Sequence, residues 1–355
     1  MELKKRFIGI WKTTVGGKTL LMENIRTTMS ECIGIDKPLI SILMAVYEPN
    51  LKWLKEQLLS LNRQTYPNLR LYVRDDASPT VSFEEIQACV QDCISAFPVI
   101  IRRNQKNLGS NLTFQLLTQE GTGKYFAYCD QDDVWLPEKL DILFANAEHT
   151  GALLVCSDMY VIDGAGTTVA DSITKVRHHH KFISGENLSS HLIFSNFVTG
   201  CTMLVRASMA KEAIPFCPYY IHDQYLAIFC SERGAIVSLQ RPLIQYRIHG
   251  NNQTIDMAGV VDKQSYLEAR IRIVQKRLHW LATYFKSSEL FRQTLEDGLR
   301  WANAREKNWH HQGGIADIVR YRRFGPIVSL FELVGTWLPN PIFMWIIGLK
   351  RKNLL

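Results

Sequence analysis

The sequence predicts an α/β fold with a mostly parallel central sheet that is flanked by helices. Between residues 38 and 135, four short apolar segments alternate with stretches whose apolar residues recur at helical spacing. The repeat is roughly 30 residues long, as in the βαβ units that build parallel sheets. Polar clusters follow the apolar segments, at the sheet edge where ligands of open α/β folds bind. The predicted strands are 39–46, 69–73, 99–101 and 125–129.

Helices between these strands are predicted from apolar periodicity. Leucines at positions 51, 54, 58 and 61 mark the first helix, and apolar residues at 83, 86, 90 and 94 mark the second. The third lies around 112–117. The next stretch, about 152–250, is less regular, with predicted strands at 153–156, 201–205 and 236–239 and a predicted helix at 222–230.

The C-terminal region, 256–355, is predicted to be helical. Apolar residues from 267 to 285 follow a 4-3-4-3-4 step, which is typical of an amphipathic helix.

An apolar segment, 326–349, lies near the end of the chain. It is interrupted by a glutamate and two prolines, so it does not form the continuous span of about 20 apolar residues that a membrane helix needs. Its tryptophans and the basic residues around it, at 320–323 and 350–352, indicate that 320–355 lies in the headgroup zone of an anionic membrane. The alternative is a broken helix pair that packs on the main domain or on a partner subunit.

Length and composition limit the classes of protein. At 355 residues the chain has room for two or three domains. Eight cysteines occur without a CxxC pair, which argues against a disulfide scaffold or zinc ribbon and favours a reducing compartment. Residues 1–37 read as a lead-in rather than a secretory signal, so we expect a cytoplasmic location. A net charge of +7 favours an anionic partner, but no recognition motif for nucleic acid accompanies it.

Three aspartates follow the fourth predicted strand directly. Asp130, Asp132 and Asp133 repel one another unless a cation lies among them, and their hard oxygen ligands suit Mg²⁺ or Mn²⁺. An EF-hand is excluded because its sixth position would be Trp135 instead of glycine, and Pro137 interrupts the loop. The alternative is an acidic turn that caps the following helix.

A second carboxylate pair, Asp75 and Asp76, follows the second predicted strand. A carboxylate there can accept the imide N–H of a uracil or thymine ring, although the same residues also form ordinary turns. Neither GxGxxG nor GxxxxGK[ST] occurs at these strand ends, which argues against dinucleotide and P-loop sites.

Residues 38–252 resemble the family 2 glycosyltransferases of GT-A fold and, among them, the bacterial rhamnosyltransferase-like branch. The order and spacing of several short motifs carry the resemblance. The matching stretches are 42–47 with Glu48-Pro49, 61–65, 73–78, Asn107-Leu108-Gly109, 125–135 with the sequence DQDDVW, 198–203, His222-Asp223-Gln224-Tyr225 and the sequence YRIHGNN at 246–252.

The resemblance implies a GT-A domain over 38–255, with a nucleotide-sugar half at about 38–135 and an acceptor half at 136–255. It implies inverting transfer from a nucleotide diphosphate sugar, with Mn²⁺ or Mg²⁺ bound by Asp132, Asp130 and His249. By motif, Asp132 is the direct ligand and Asp130 contacts the ribose or the metal. The resemblance assigns nine residues to binding of the nucleotide-sugar donor: Ala45, Tyr47, Glu48, Asp75, Asp76, Asn107, Gly109, Asp130 and Gln131. It assigns three residues to the acceptor side: Gly200, Cys201 and His222.

Asp223 matches the family's general base, a carboxylate that removes the proton of the acceptor hydroxyl. It also stands where a helix N-cap is expected, and the two roles are compatible. His222 beside it would orient Asp223 or the acceptor.

The resulting hypothesis is an inverting glycosyltransferase at the cytoplasmic face of the cell membrane. It would transfer L-rhamnose from dTDP-L-rhamnose to a lipid-linked saccharide during synthesis of a cell-surface polysaccharide. One alternative is that the donor is a UDP-hexose or a UDP-N-acetylhexosamine. Another is that the chain is a non-catalytic subunit that binds nucleotide sugar or acts as a scaffold. Self-association of the chain also stays open.

Overall fold

The computed structural model describes the backbone at 12–15 and 18–21 and residues 37–178, 180–249 and 259–351. The chain divides into two compact units: the first holds the described residues up to Leu188 with 197–215 and 226–247, and the second holds 189–196, 216–225 and the described residues from Ile248 onwards. In the lead-in, β1 (Lys12–Val15) and β2 (Lys18–Leu21) pair as an antiparallel hairpin. Its other residues up to 36, and the predicted boundary at 255, lie outside the described residues.

Nine strands of the described first unit form one mixed sheet, in the order β5-β4-β3-β6-β10-β8-β11-β7, with β9 paired to β8. The strands are β3 (Ile40–Val46), β4 (Leu69–Asp75), β5 (Val99–Arg103), β6 (Tyr125–Cys129), β7 (Val134–Trp135), β8 (Leu154–Ile162), β9 (Thr168–Ala170), β10 (Met203–Arg206) and β11 (Ile236–Arg247). β3 to β6 are parallel, as predicted, while β10 runs antiparallel between β6 and β8. The carboxyl ends of β3, β4, β5 and β6 therefore lie at one edge of the sheet. The carboxyl ends of β8 and β11 lie at the same edge.

The helices predicted from apolar periodicity before residue 130, and the one predicted at 222–230, are found, and two short helices at 189–192 and 207–212 were not predicted. The helices up to residue 231 are α1 (Leu51–Asn62), α2 (Phe83–Cys93), α3 (Ser110–Glu120), α4 (Lys139–Thr150), α5 (Ser189–Leu192), α6 (Ala207–Glu212) and α7 (His222–Ser231). Asn50 caps α1 by accepting from the backbone N of Lys52, and Ser82 and Glu85 form a capping box at α2. The apolar faces of α1, α2 and α4 pack on the buried side chains of β3, β4 and β6, which forms the main core.

The C-terminal region is helical, as predicted. Its helices are α8 (Lys263–Tyr266), α9 (Ile273–Tyr284), α10 (Glu289–Trp309), α11 (Ile315–Arg320), α12 (Pro326–Gly335) and α13 (Asn340–Arg351), with a π-helical segment, Leu267–Arg272, between α8 and α9. The predicted interruption of the apolar segment falls between α12 and α13. Among the described residues, the helices are all too short or too polar to cross a bilayer.

Candidate active site

The acidic turn, residues 130–133, lies directly after β6 at the carboxyl edge of the sheet. Asp130 and Asp132 are half-buried, whereas Asp133 is fully buried. Burial, with the nearby Asp132 and Asp130 carboxylates, raises the pKa of Asp133 well above its usual value. Its Oδ1 accepts from the backbone N of Arg247 at 3.0 Å, and its buried Oδ2 has no hydrogen-bond partner of good geometry in the described part of the chain.

Cys201 lies against this turn. Its sulfur and one oxygen each of Asp130 and Asp133 lie within 4.8 Å of one another. Burial, together with the carboxylates of Asp133 and Asp130, raises the pKa of the Cys201 thiol well above its usual value. The carboxylate oxygens of Asp130 and Asp133 are hard ligands that fit a divalent cation such as Mg²⁺ or Mn²⁺, whereas the sulfur of Cys201 is a soft ligand that these ions do not favour.

Lys139 begins α4 behind the acidic turn and is fully buried. Its Nζ donates to the Cys201 carbonyl at 2.5 Å and lies 3.1 Å from the centre of the Trp135 ring. Burial lowers the pKa of Lys139 to about 7. The motifs gave no role to this residue. A lysine in the first turn of a helix, where the dipole disfavours a cation, was the signal that could have identified it.

Arg247 fixes the main chain of the acidic turn. Its side chain is 1% exposed, and its Nε donates to the carbonyl of Asp132 at 2.8 Å. Its Nη2 forms an ion pair with Glu56 of α1 at 2.6 Å, and Nη1 donates to the carbonyl of Asp163 at 3.2 Å. The sequence interpretation of the YRIHGNN motif used only its histidine. No sequence signal set this arginine apart, because β11 also carries Arg241 and two glutamines.

Gln131 joins the acidic turn to the end of β3. Its Oε1 accepts from the backbone N of Tyr47 at 2.8 Å, and its Nε2 donates to the carbonyl of Tyr47 at 3.0 Å. The Tyr47 side chain is 44% exposed, so its ring is accessible at this edge. Ala45, one residue before the end of β3, is half-buried. The structure therefore brings three of the predicted donor residues together.

Glu48 and Asp75 organise the loop that follows β4. Oδ1 of Asp75 accepts from the backbone N of Ser78 at 3.1 Å and from its Oγ at 2.6 Å. The same Ser78 Oγ accepts from the backbone N of Glu48 at 2.9 Å, and the Glu48 carboxylate accepts from the backbone N of Thr80 at 2.8 Å. These hydrogen bonds fix the loop, and contact of Glu48 or Asp75 with a base stays a prediction.

Asp76 organises the start of α3. Its Oδ1 accepts from the backbone N of Leu108 and its Oδ2 from the backbone N of Gly109, both at 2.8 Å. Asn107 is exposed, and its Oδ1 also accepts from the backbone N of Gly109, at 3.0 Å. Gly109 has φ +80°, a left-handed conformation that favours glycine. The predicted residues of this loop therefore form one hydrogen-bonded cluster.

Asp223, His222 and His249 lie in the second unit, whereas the predicted acceptor-side residues Gly200 and Cys201 lie in the first. Asp223 stands in the first turn of α7, is buried, and accepts from Nδ2 of Asn196 at 3.1 Å. Burial lowers the pKa of His222 to about 3, so its imidazole is neutral near neutral pH. The assignments of the base and of His249 as a metal ligand stay predictions.

Comparison with known proteins gives the family of the domain. Residues 41–212 match the family described as Glycosyl transferase family 2. This match, over just under half of the chain, supports a glycosyltransferase domain at residues 41–212. An uncharacterized glycosyltransferase of Methanocaldococcus jannaschii is 30% identical over 161 residues, covering 44% of this chain and 55% of the relative. Another, of Nostoc sp., is 25% identical over 236 residues, covering 63% of this chain and 69% of the relative.

Two solved structures share the fold of this glycosyltransferase. S. aureus TarS, residues 1–349 in complex with UDP-GlcNAc, has a TM-score of 0.54 at 15% identity, covering 83% of this chain and 84% of that chain. The mannosyltransferase PcManGT from Pyrobaculum calidifontis, in complex with GDP-Man and Mn²⁺, has a TM-score of 0.52 at 13% identity, covering 84% of this chain and 79% of that chain. The predicted GT-A fold and the predicted enzyme class are confirmed. The comparisons support the family without indicating a branch within it.

Proposed function

We propose that the glycosyltransferase domain moves a sugar, with inversion, from a nucleotide diphosphate sugar to an acceptor hydroxyl. The observation that carries the proposal is the acidic turn at the carboxyl edge of the sheet, whose main chain is fixed by the hydrogen bonds of Arg247 and Gln131. The nucleotide sugars bound by TarS and by PcManGT support this class of donor. The specific donor we propose is dTDP-L-rhamnose.

Mn²⁺ or Mg²⁺ is the proposed cofactor. Asp132 and Asp130, which are both half-buried, would be its ligands, and one carboxylate oxygen of Asp133 lies within 4.8 Å of one of Asp130. When bound, such a cation offsets the negative charge that develops on the departing diphosphate. The Mn²⁺ in the PcManGT complex supports this proposal. The exposed Tyr47 ring and the loop of Asp76 and Gly109 would orient the nucleotide at the same edge.

Asp223 is the proposed general base. A carboxylate can take the proton of the acceptor hydroxyl as the new glycosidic bond forms and the bond to the diphosphate breaks. The hydrogen bond from Asn196 fixes the orientation of the carboxylate. The neighbouring His222 is neutral, so it adds no charge that would weaken the base.

The proposed acceptor is a lipid-linked saccharide, and the proposed location is peripheral, on the cytoplasmic face of the cell membrane. The C-terminal helices support the location: several large apolar side chains of α12 and α13 face solvent, and arginines lie close to them in the sequence. The product would be a cell-surface polysaccharide.

Replacement of the base tests the activity. Asp223→Asn should lower turnover by about 100-fold or more, because a general base typically contributes that much, while stabilisation by nucleotide and Mn²⁺ should stay at the wild-type level. Asp92→Asn, on the exposed face of α2, is the matched control. Wild-type turnover in Asp223→Asn would exclude this residue as the base, and full activity in EDTA would exclude the cation.

The donor is tested by thermal stabilisation with a panel of nucleotide sugars in Mn²⁺, since a ligand that binds only the folded state raises the melting temperature. The largest shift should come from dTDP-L-rhamnose; a larger shift from a UDP-sugar would identify a UDP-hexose or UDP-N-acetylhexosamine donor instead. Hydrolysis of the donor without acceptor distinguishes an enzyme from a non-catalytic subunit.

A further inference from the structure

A cavity of about 670 Å³ opens in the first unit beside β8 and β11. Its walls are Asp158 of β8, Gln240 and Pro242 of β11, and part of the segment 171–183. The volume lies within the range of about 300–1,000 Å³ that is usual for small-molecule sites. Neither the sequence motifs nor the acidic turn accounts for it.

Strand register places the cavity level with the acidic turn. Val155 of β8 is paired to Leu204 of β10, which is paired to Ala127 of β6. Three residues further towards the carboxyl edge, β8 reaches Asp158 and the chain after β6 reaches Asp130. Because neighbouring strands lie about 4.8 Å apart, the two backbones are separated by about 10 Å.

Cys201 stands between the two sites. On the antiparallel chain of β10, the residue three positions before Leu204 is Cys201, and its side chain indeed lies against Asp130. Along the edge of the sheet, the acidic turn is therefore followed by Cys201 and then by the cavity. The Gly200–Thr202 turn, which was matched to the acceptor side, separates the candidate donor site from the cavity.

The charges around the cavity disfavour an anionic ligand. Asp158 is buried, and its Oδ1 accepts from the backbone N of Met159 at 2.7 Å and of Ile173 at 3.1 Å. Burial lowers the pKa of His180, helped by the nearby Arg177, so this imidazole is neutral near neutral pH. The charged residues of the wall are two carboxylates, Asp158 and Asp171, and one cation, Lys181, so a nucleoside diphosphate would meet more negative than positive charge there.

The polar groups and the ring in the wall suit a sugar. Asp158, the Gln240 amide and the neutral His180 offer acceptors and donors for hydroxyl groups. The Phe182 ring, half-buried and packed edge-on against His180 at 4.9 Å between centroids, offers an apolar surface for a C–H face. We propose that this cavity binds a neutral saccharide, the sugar of the acceptor next to the hydroxyl that is glycosylated. The inference rests on the proposed glycosyl transfer.

Binding of simple glycosides tests the inference. Methyl α-L-rhamnopyranoside, methyl β-D-glucopyranoside and methyl β-D-N-acetylglucosaminide are titrated into the full chain with Mn²⁺ and dTDP or UDP, and binding is followed by saturation-transfer NMR. We expect at least one glycoside to bind, and its Kd to rise at least tenfold in Phe182→Ala and in Gln240→Ala. Gln240 is exposed, so its truncation leaves the core intact. The control is Val169→Ala, an exposed residue of β9 outside the cavity wall.

The outcomes separate this inference from the proposed function. If nucleotide and Mn²⁺ do not stabilise the wild type, the proposed glycosyl transfer fails. If they do, while no glycoside binds or the two cavity variants bind it as the wild type does, the acceptor site alone is wrong. If the variants weaken nucleotide binding as well, the cavity belongs to the donor site and the inference is overturned.

Discussion

Arg247 connects the acidic turn to two other parts of the first unit through one buried side chain. The guanidinium meets the Asp132 carbonyl, the Asp163 carbonyl and the Glu56 carboxylate in three directions. A lysine has one terminal nitrogen on a flexible stem and cannot reproduce this planar fork. The arginine is therefore a positioning residue for the carboxylates that follow β6.

Arg247→Lys should weaken Mn²⁺-dependent nucleotide binding by about tenfold, the equivalent of about 1.4 kcal/mol, because the acidic turn loses hydrogen bonds that fix its main chain. The measurement is nucleotide Kd by calorimetry at saturating Mn²⁺. Glu56→Gln, which keeps an acceptor for Nη2, should have a smaller effect. A nucleotide affinity unchanged from the wild type would show that the brace serves stability alone.

The buried imidazole of His222 predicts how the stability of the fold depends on pH. Its imidazole stays neutral in the folded chain down to about pH 3, whereas in the unfolded chain it binds a proton below about pH 6.5. The unfolded state therefore binds more protons between these values, and stability falls as the pH falls. Between pH 7.5 and 5.5 the loss is on the order of 1 kcal/mol.

The variant His222→Gln should lack this loss. The measurement is the free energy of unfolding in urea at both pH values, compared between the variant and the wild type, with His279→Gln on the exposed face of α9 as the control. An equal difference between the two pH values in the wild type and in His222→Gln would contradict the prediction.

At the scale of elements, a buried ion pair joins α10 and α12 in the second unit. Arg305 is 2% and Glu332 0% exposed at the side chain, and Nε and Nη2 of the arginine each donate to a carboxylate oxygen at 2.6 Å. The Tyr266 hydroxyl donates to the same carboxylate at 2.9 Å. In the sequence this glutamate looked like an interruption of an apolar segment, whereas the structure gives it three buried donors.

Glu332→Gln should lower the free energy of unfolding by about 3–5 kcal/mol, since it leaves a buried arginine without its counter-charge. The double variant Arg305→Met/Glu332→Leu should cost less than the single one, because both charges are removed together. Urea unfolding followed by circular dichroism measures both. A double variant that is less stable than Glu332→Gln would indicate that the hydrogen-bond geometry, and not the uncompensated charge, sets the cost.

The sequence predicted the four parallel strands well, whereas β8 and β11 run far beyond their predicted ends at 156 and 239. β3, β4, β5 and β6 are found within two residues of their predicted ends, because each is a short apolar run bounded by polar residues. The two-residue strand β7 carries no such pattern, because it forms by pairing with β11, which lies far along the chain.

In the candidate site, too, some features could be predicted from the sequence and others could not. The acidic turn was recognisable because three carboxylates follow one strand. That Cys201 contacts this turn, and that Lys139 lies buried behind it, depend on the antiparallel insertion of β10 beside β6, which the spacing of the motifs does not encode.

At the scale of the whole molecule, the remaining question is what covers the apolar surface of the C-terminal helices. On α12, Ile327 and Leu330 are 78% and 69% exposed, and Val334 and Trp337 continue the same stripe at helical spacing. Ile342 and Trp345 are exposed on α13. A stripe of this kind is costly in water, and the basic residues around it match an anionic lipid surface.

The neighbouring charges are almost all positive. Arg320, Arg322, Arg323 and Arg351 are exposed, whereas Asp317 is the one exposed acid among residues 315–351. An anionic bilayer would therefore meet both an apolar stripe and favourable charge, and its attraction should weaken as salt rises.

Vesicle flotation tests this surface with the full chain. The wild type should bind phosphatidylcholine vesicles that contain phosphatidylglycerol more tightly than pure phosphatidylcholine, and less tightly at high salt. Ile327→Ser/Leu330→Ser removes about 1.5 kcal/mol of insertion free energy per side chain, so binding should fall by about 100-fold. Leu290→Ser, a 68% exposed leucine on α10, is the matched control. If the double variant instead lost self-association and kept its lipid binding, the stripe would be an interface between two copies of the chain.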